Sequence, residues 1–158
     1  ATAKRPSGFG VEVIFHDILP NLSDEFATQV SLAELQNRAD ILSLHIPFTD
    51  ETNYLSEESF ISKMAKNFYF INTARGKNLK TKALVEAIEN GKILGACLDV
   101  LEYEKASFEN LEIENQDLTY LLDSEKVIVT PHIAGWTSQS KEKLAQVIVD
   151  KILKDFLL

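Results

Sequence analysis

The chain has 158 residues, the length of about one domain. Its 45% hydrophobic and 25% charged residues mark a globular rather than a disordered composition, and 16 Lys plus Arg against 24 Asp plus Glu leave a net charge of −8. That balance disfavours a nucleic-acid partner, no apolar run reaches the roughly 20 residues of a membrane span, and no secretory leader pattern opens the sequence. A single cysteine, Cys97, excludes an internal disulfide framework, and no paired-histidine spacing marks a metal site. The expectation is a compact cytoplasmic chain with no nucleic-acid, membrane or metal partner.

Ala1 to Ser7 reads as the tail of a helix, with Lys4 and Arg5 suited to a helix C-terminus and Gly8 and Gly10 ending it. Val11 to Asp17 is rich in β-branched and aromatic residues and predicts a strand, stopped by the Leu19-Pro20-Asn21 turn. Gln29-Val30 predicts a very short strand. Ser31-Leu32-Ala33-Glu34 is a capping box opening a helix to about Asn37. Ala39 to Ile46 predicts a strand ended by Pro47, Ser56 to Lys63 a helical turn, and Phe68 to Asn72 a third clear strand. Leu84, Val85 and Ile88, followed by Gly91, place a helix over Thr81 to Asn90. Leu94 to Val100 and Lys126 to Thr130 predict buried strands. Tyr103 to Ser124 reads as a long acidic loop. Thr137 caps a final helix carrying Leu144, Ile148, Ile152 and Phe156 at i+4 spacing. Strands alternating with helices imply a parallel sheet covered on both faces, in an α/β fold.

In such a sheet, ligands sit at the carboxyl ends of the strands. Standing there are Asp17, His45 with Pro47, the run Asn72-Thr73-Ala74-Arg75-Gly76, Asp99 with Glu104, and Pro131-His132. Asp17 suits a dinucleotide ribose, its charge repelling a 2′-phosphate, but a turn Asp reads the same way. Arg75 can grip a carboxylate with two parallel bonds, and Gly76 permits close backbone approach; a surface arginine in a turn is the plain alternative. Glu104 and His132 form an acid–base couple if the fold brings them together, since a carboxylate fixes an imidazole's tautomer and tunes it for proton transfer. His16 and His45 compete for that role. Cys97, mid-strand between Ala96 and Leu98, reads as a buried and inert thiol.

Four segments, taken together, closely resemble the D-isomer-specific 2-hydroxyacid dehydrogenases: Ala39 to Thr52, Phe70 to Gly76, Gly91 to Glu104, and Val129 to Thr137. They stand in the family's order and spacing and span nearly the whole chain. The nearest flavour is the 3-phosphoglycerate dehydrogenase-like branch. The resemblance implies a Rossmann-like doubly wound parallel sheet, NAD as cofactor, a small 2-keto or 2-hydroxy acid as substrate, and a homodimer. It implies that Arg75 binds the substrate carboxylate. It makes His132 the proton donor and acceptor, with Glu104 supporting it. Asp99 would meet the nicotinamide carboxamide and Asp17 the adenosine ribose. His45, Pro47, Thr52, Thr73, Ala74 and Gly135 would line the cofactor cleft beside Arg75 and His132. Two departures stand out. Asn78, Leu79 and Lys80 occupy positions where the family has aliphatics and an Asp, and Pro6 falls where the family has helix, at a cost of about 3 kcal/mol if interior.

The family also carries a first strand and a glycine-rich pyrophosphate loop just before the segment matched here. None of the six glycines supplies that loop. Gly8-Phe9-Gly10 is followed by Val13 and a strand, not by a third glycine and a helix. The sequence therefore reads as the C-terminal part of a dehydrogenase. Residues 1–136 would be a partial NAD-binding domain, and residues 137–158 a helix returning toward a substrate domain. The absent strand would lie between the strands ending at Asp17 and near Ile46, and some of Leu144, Ile148, Ile152 and Phe156 would be exposed or covered by another molecule. Such a chain alone is expected to bind NAD weakly or not at all. A non-catalytic NAD-sensing module and an inactive truncated product are the competing readings.

Overall fold

The computed structural model describes residues 2–104 and 115–156. Strands β1 (Ile14–Phe15) and β2 (Thr28–Gln29) pair in parallel as one small sheet. Strands β3 (Ile41–Leu44), β4 (Phe68–Asn72), β5 (Ile93–Leu98) and β6 (Val127–Val129) form a second, wholly parallel sheet in that order. Among the described residues no ladder joins β1 to β3, the two strands between which a further strand is expected.

Helices α1 (Leu32–Arg38), α2 (Glu58–Ile61), α3 (Thr81–Glu89) and α4 (Gln116–Asp123) contribute to a single apolar cluster on one face of the larger sheet. The register explains which face. Leu42, Phe70 and Ala96 align across β3, β4 and β5, as do Leu44, Asn72 and Leu98, and all six are buried. The alternate rows point the other way: Ile41 beside Tyr69, and Cys97 beside Ile128. These four are exposed, because no described helix packs there. The expectation of cover on both faces is therefore met on one face only. Cys97, expected to be buried, is exposed, since its place in the pleat assigns it to the open face.

Local signals account for most of the helix ends. The Ser31 hydroxyl accepts from the Glu34 amide at 3.1 Å, as a capping box requires. Gly91, at φ +77°, takes the left-handed position that follows α3. The Thr137 hydroxyl accepts from the Ser140 amide at 3.0 Å, next to the start of α5 (Ser138–Phe156). Two segments differ from expectation. Pro6 opens a 3-10 turn (Pro6–Phe9) instead of interrupting a helix, a position where its missing N–H is harmless. Within the supposed acidic loop, Asn115 accepts from the amides of Asp117 and Leu118 and starts α4, which buries Leu118 and Leu121. The remainder of that loop, 105–114, lies outside the described residues. Leu144, Ile148, Ile152 and Phe156 are all exposed on α5. Among the described residues no helix is long and apolar enough to cross a membrane.

One glycine is sterically obligatory. A Cβ at Gly76 would lie 1.9 Å from the backbone oxygen of Leu101 and 2.8 Å from the nitrogen of Glu102. Backbone cannot swing aside as a side-chain tip can. Gly76→Ala is expected to lower stability by about 3 kcal/mol, read as a fall in the urea midpoint. Gly135→Ala, with nothing within 4 Å of its added methyl, should change that midpoint little.

Candidate active site

Because β3 to β6 are parallel, the residues that follow them collect at one edge. Asp99, directly after β5, organises that edge. It is 4% exposed. Its Oδ1 accepts from the Thr130 hydroxyl at 2.6 Å and the Ile133 amide at 2.9 Å, and its Oδ2 accepts from the Ala134 amide at 2.9 Å. Burial is the largest single influence on this carboxyl and resists its ionisation. The bonds from Thr130, Ala134 and Ile133, with attraction to His132, together prevail and hold it below the usual carboxylate range.

Those bonds flank His132 on both sides. The residue sits at φ +53°, a left-handed conformation that costs a non-glycine residue on the order of 1 kcal/mol or more. The loop keeps it there because the next two amides are tied to Asp99. In that position His132 Nδ1 lies 2.8 Å from Glu104 Oε2. A carboxylate can only accept, so Nδ1 carries the proton and Nε2 is left to exchange one. The Glu104 side chain is 9% exposed and that of His132 is 41% exposed, so the carboxylate is sheltered while the ring reaches solvent. The other Glu104 oxygen accepts from the Leu101 amide, closing a tight turn.

Arg75 reaches the same edge by a different device. Asn72 is fully buried at the end of β4; its Oδ1 accepts from the Ala74 amide at 3.0 Å and its Nδ2 donates to the Arg75 carbonyl at 3.1 Å. This turn leaves Thr73 and Arg75 exposed and Ala74 buried. The Arg75 guanidinium donates to the Ala74 carbonyl at 2.6 Å, and among the described residues it has no carboxylate partner. The structure thus joins Glu104 to His132 and bonds Arg75 to neither.

The remaining expected residues are placed as follows. His45 is exposed, with Nε2 3.0 Å from the Ser43 hydroxyl. The Thr52 hydroxyl donates to the Pro47 carbonyl at 2.7 Å, so it ties its own loop together. Asp17 Oδ1 accepts from the Leu19 amide at 2.9 Å, a turn bond, and its second oxygen has no partner among the described residues. Gly135 is open on its Cα side, and its carbonyl accepts from the Ser140 hydroxyl. His16 bonds the Val30 carbonyl at 3.2 Å, in the small sheet.

A shallow depression of about 300 Å³ opens beside Asp99, lined by Thr73, Cys97, Leu98, Ile128, Thr130, Ile133 and Ala134. Its walls are mainly apolar, and among the described residues Asp99 Oδ2 accepts from one amide. A flat ring bearing one carboxamide suits such a surface. Gly8 lies in a 3-10 turn that leads into β1, so the Gly8-Phe9-Gly10 run has no strand-to-helix geometry and offers no phosphate cradle.

The sequence profile of the D-isomer specific 2-hydroxyacid dehydrogenase NAD-binding domain matches residues 1–134. The chain belongs to this family. It is 34% identical to a D-lactate dehydrogenase of Staphylococcus aureus over 151 residues, covering 92% of this chain and 46% of that enzyme. The NAD-complexed structure of a D-isomer specific 2-hydroxyacid dehydrogenase from Lactobacillus delbrueckii ssp. bulgaricus superimposes with a TM-score of 0.83 at 32% identity, over 96% of this chain and 47% of that one. A D-lactate dehydrogenase from Aquifex aeolicus, complexed with NAD and lactic acid, gives 0.75 at 35% identity over 98% and 49%. The chain thus spans about half the length of the relatives it matches, and what it contains is a NAD-binding domain of the 2-hydroxyacid dehydrogenases.

Two positions escaped the sequence reading as structural determinants. Asn72 was visible as a polar strand end, but only its burial shows that it builds the Arg75 turn. Thr130 carries no local signal, because its partner Asp99 is 31 residues away. The Asp99 network has a definite pH signature. The folded carboxyl binds its proton more weakly than the unfolded one, so the unfolded state gains protons first as pH falls below about 4. Its stabilisation is complete above that range and is lost on the way down. Urea midpoints measured against pH should show this acid limb. Asp99→Asn should flatten it and lower stability at neutral pH by about 2 kcal/mol.

Proposed function

We propose that the protein carrying this chain is an NAD-dependent oxidoreductase that interconverts a small 2-oxo acid and its D-2-hydroxy acid. The observation that supports it is the 2.8 Å contact between Glu104 and His132 at the carboxyl edge of the sheet, beside the depression that suits a nicotinamide. Thr73, Ala74, Asp99 and Gly135, with Pro47, Thr52 and His45 on the adjoining loop, would hold the nicotinamide half, and Asp17 the adenosine ribose. The bound cofactor supplies the hydride.

The chain's own residues supply the rest. His132 delivers a proton from Nε2 to the 2-oxo oxygen as the alcohol forms, and withdraws it in the reverse direction. Glu104 receives the Nδ1 hydrogen throughout, which keeps Nε2 the reactive nitrogen and offsets the positive charge on the ring when both nitrogens are protonated. The Arg75 guanidinium, with no carboxylate partner among the described residues, holds the substrate carboxylate by paired N–H bonds and orients the oxo group toward His132.

The relatives' names put pyruvate first among the substrates to assay. The sequence motifs add the phosphorylated 2-oxo acid of the 3-phosphoglycerate branch, and glyoxylate is the minimal member of the class. We further propose a homodimer in the cytoplasm, with α5 returning to the substrate domain; its exposed Leu144, Ile148, Ile152 and Phe156 support a covered position there.

The test is NADH oxidation by the full-length protein with pyruvate, glyoxylate and phosphohydroxypyruvate. Turnover of at least one is expected. His132→Gln should then lower kcat by about 10²- to 10⁴-fold, and Arg75→Ala should raise KM for the oxo acid while NADH binding stays unchanged. NADH binding without turnover of any oxo acid would sink the enzymatic reading and favour a NAD-sensing module.

A further inference from the structure

The least explained polar group near the site is Glu102, two residues before Glu104. We propose that Glu102 is a positioning residue: its carboxylate locks the turn that delivers Glu104 to His132 by bridging the start of α3 and Tyr54. Its Oε2 accepts from the Thr81 amide at 2.8 Å, and its Oε1 accepts from the Tyr54 hydroxyl at 2.8 Å. Both oxygens are thus engaged, each by an element that belongs to a different side of the site.

The α3 contact replaces a missing cap. Lys80 occupies the N-cap of α3 and makes no side-chain capping bond, and the first turn of α3 holds no acidic residue. The exposed amides of a helix start attract a carboxylate, and Glu102 provides one from across the fold. The Tyr54 contact secures the loop that follows Pro47 and Thr52. Tyr54 sits at φ +52°, its amide donates to the Lys77 carbonyl at 2.8 Å, and the bond to Glu102, followed by burial, pushes its phenol pKa up. The chain itself provides the third link. Leu101 is buried, the Leu101–Glu102 backbone is pressed against Gly76, and the Leu101 amide donates to Glu104. With Glu102 anchored at its tip and Leu101 at its root, this turn has one place to go. Without the carboxylate bridge the turn loses its outer anchor, and Glu104 drifts from the imidazole.

This rests on reading Glu104 and His132 as the proton-transfer pair. The readout chosen is the tautomer of His132, which is independent of turnover. In the uniformly ¹⁵N-labelled chain at about pH 8, the two ring nitrogens are distinguished by NMR. Wild type should show the Nδ1–H form. Glu102→Ala should lower the ratio of Nδ1–H to Nε2–H forms about tenfold, and Glu102→Gln, which keeps one acceptor oxygen, should lower it less. Ser31→Ala, which removes the α1 cap far from the site, serves as a control for general destabilisation and should leave the tautomer alone. The decisive variant is Glu102→Ala with Lys80→Asp, which restores a local cap to α3. It should recover the thermal midpoint without recovering the tautomer. An unchanged tautomer in Glu102→Ala, or its full return on adding Lys80→Asp, would show that Glu102 only caps a helix and would overturn the proposal.

Discussion

The candidate site depends on one buried carboxylate accepting three hydrogen bonds. Asp99 follows β5 at the sheet edge and is enclosed by groups that come from 31 to 35 residues later in the chain. An isolated buried carboxylate would be costly, and it would protonate sooner than remain charged. Here the three donors more than compensate for burial, so the charge is retained and the loop after β6 is pulled against β5. The left-handed backbone of His132 goes with it: the Thr130 hydroxyl before it and the Ile133 and Ala134 amides after it are all held by Asp99. The strain is local and the network that sustains it lies directly after β5 and β6.

Glu104 meets this loop from the other direction. Its turn is shaped by the absence of a side chain at Gly76, where any Cβ would overlap Leu101. The two halves of the acid–base pair are therefore held by unrelated means, His132 by charge-assisted hydrogen bonds and Glu104 by steric fit and a closed turn. Arg75 is held by a third, the Asn72 side chain that shapes the turn after β4. Three separate supports converge within one edge of the parallel sheet.

Much of this was legible in the residues. The β-branched and aromatic runs mark β3, β4, β5 and β6, Gly91 marks the end of α3, and the placing of polar residues after strands marks the site edge. The pairing of Glu104 with His132 was readable only as a possibility of topology, because 28 residues separate them and contact depends on both lying at that edge. The α4 helix was hidden by its acidic flanks, Asp117 and Asp123, although Asn115 with Leu118 and Leu121 carries the helical spacing. Cys97 was misplaced because a short apolar strand reads the same whether one face or both are covered. The outer strands also shrink: Val11 to Asp17 forms only two paired residues, because β1 has a single partner along its length.

Lys80 and Asn78, in the run after Gly76, both act at the junction of these supports. Lys80 at the N-cap of α3 makes no side-chain capping bond, so the helix begins without a local acceptor, and Glu102 fills that vacancy at Thr81 from 21 residues away. Asn78 is fully buried, and its Nδ2 donates to the Thr52 carbonyl at 3.0 Å and, more distantly, to the Pro47 carbonyl at 3.4 Å, while its Oδ1 has no partner among the described residues. A buried amide is costly unless it finds partners, and those of Nδ2 belong to the loop expected to line the cofactor cleft. Both contacts cross between loops. They bind the Pro47 loop, the Arg75 turn and the Glu104 turn to one another at their bases, while the exposed Arg75 guanidinium and the solvent-facing edge of the His132 ring can meet a ligand.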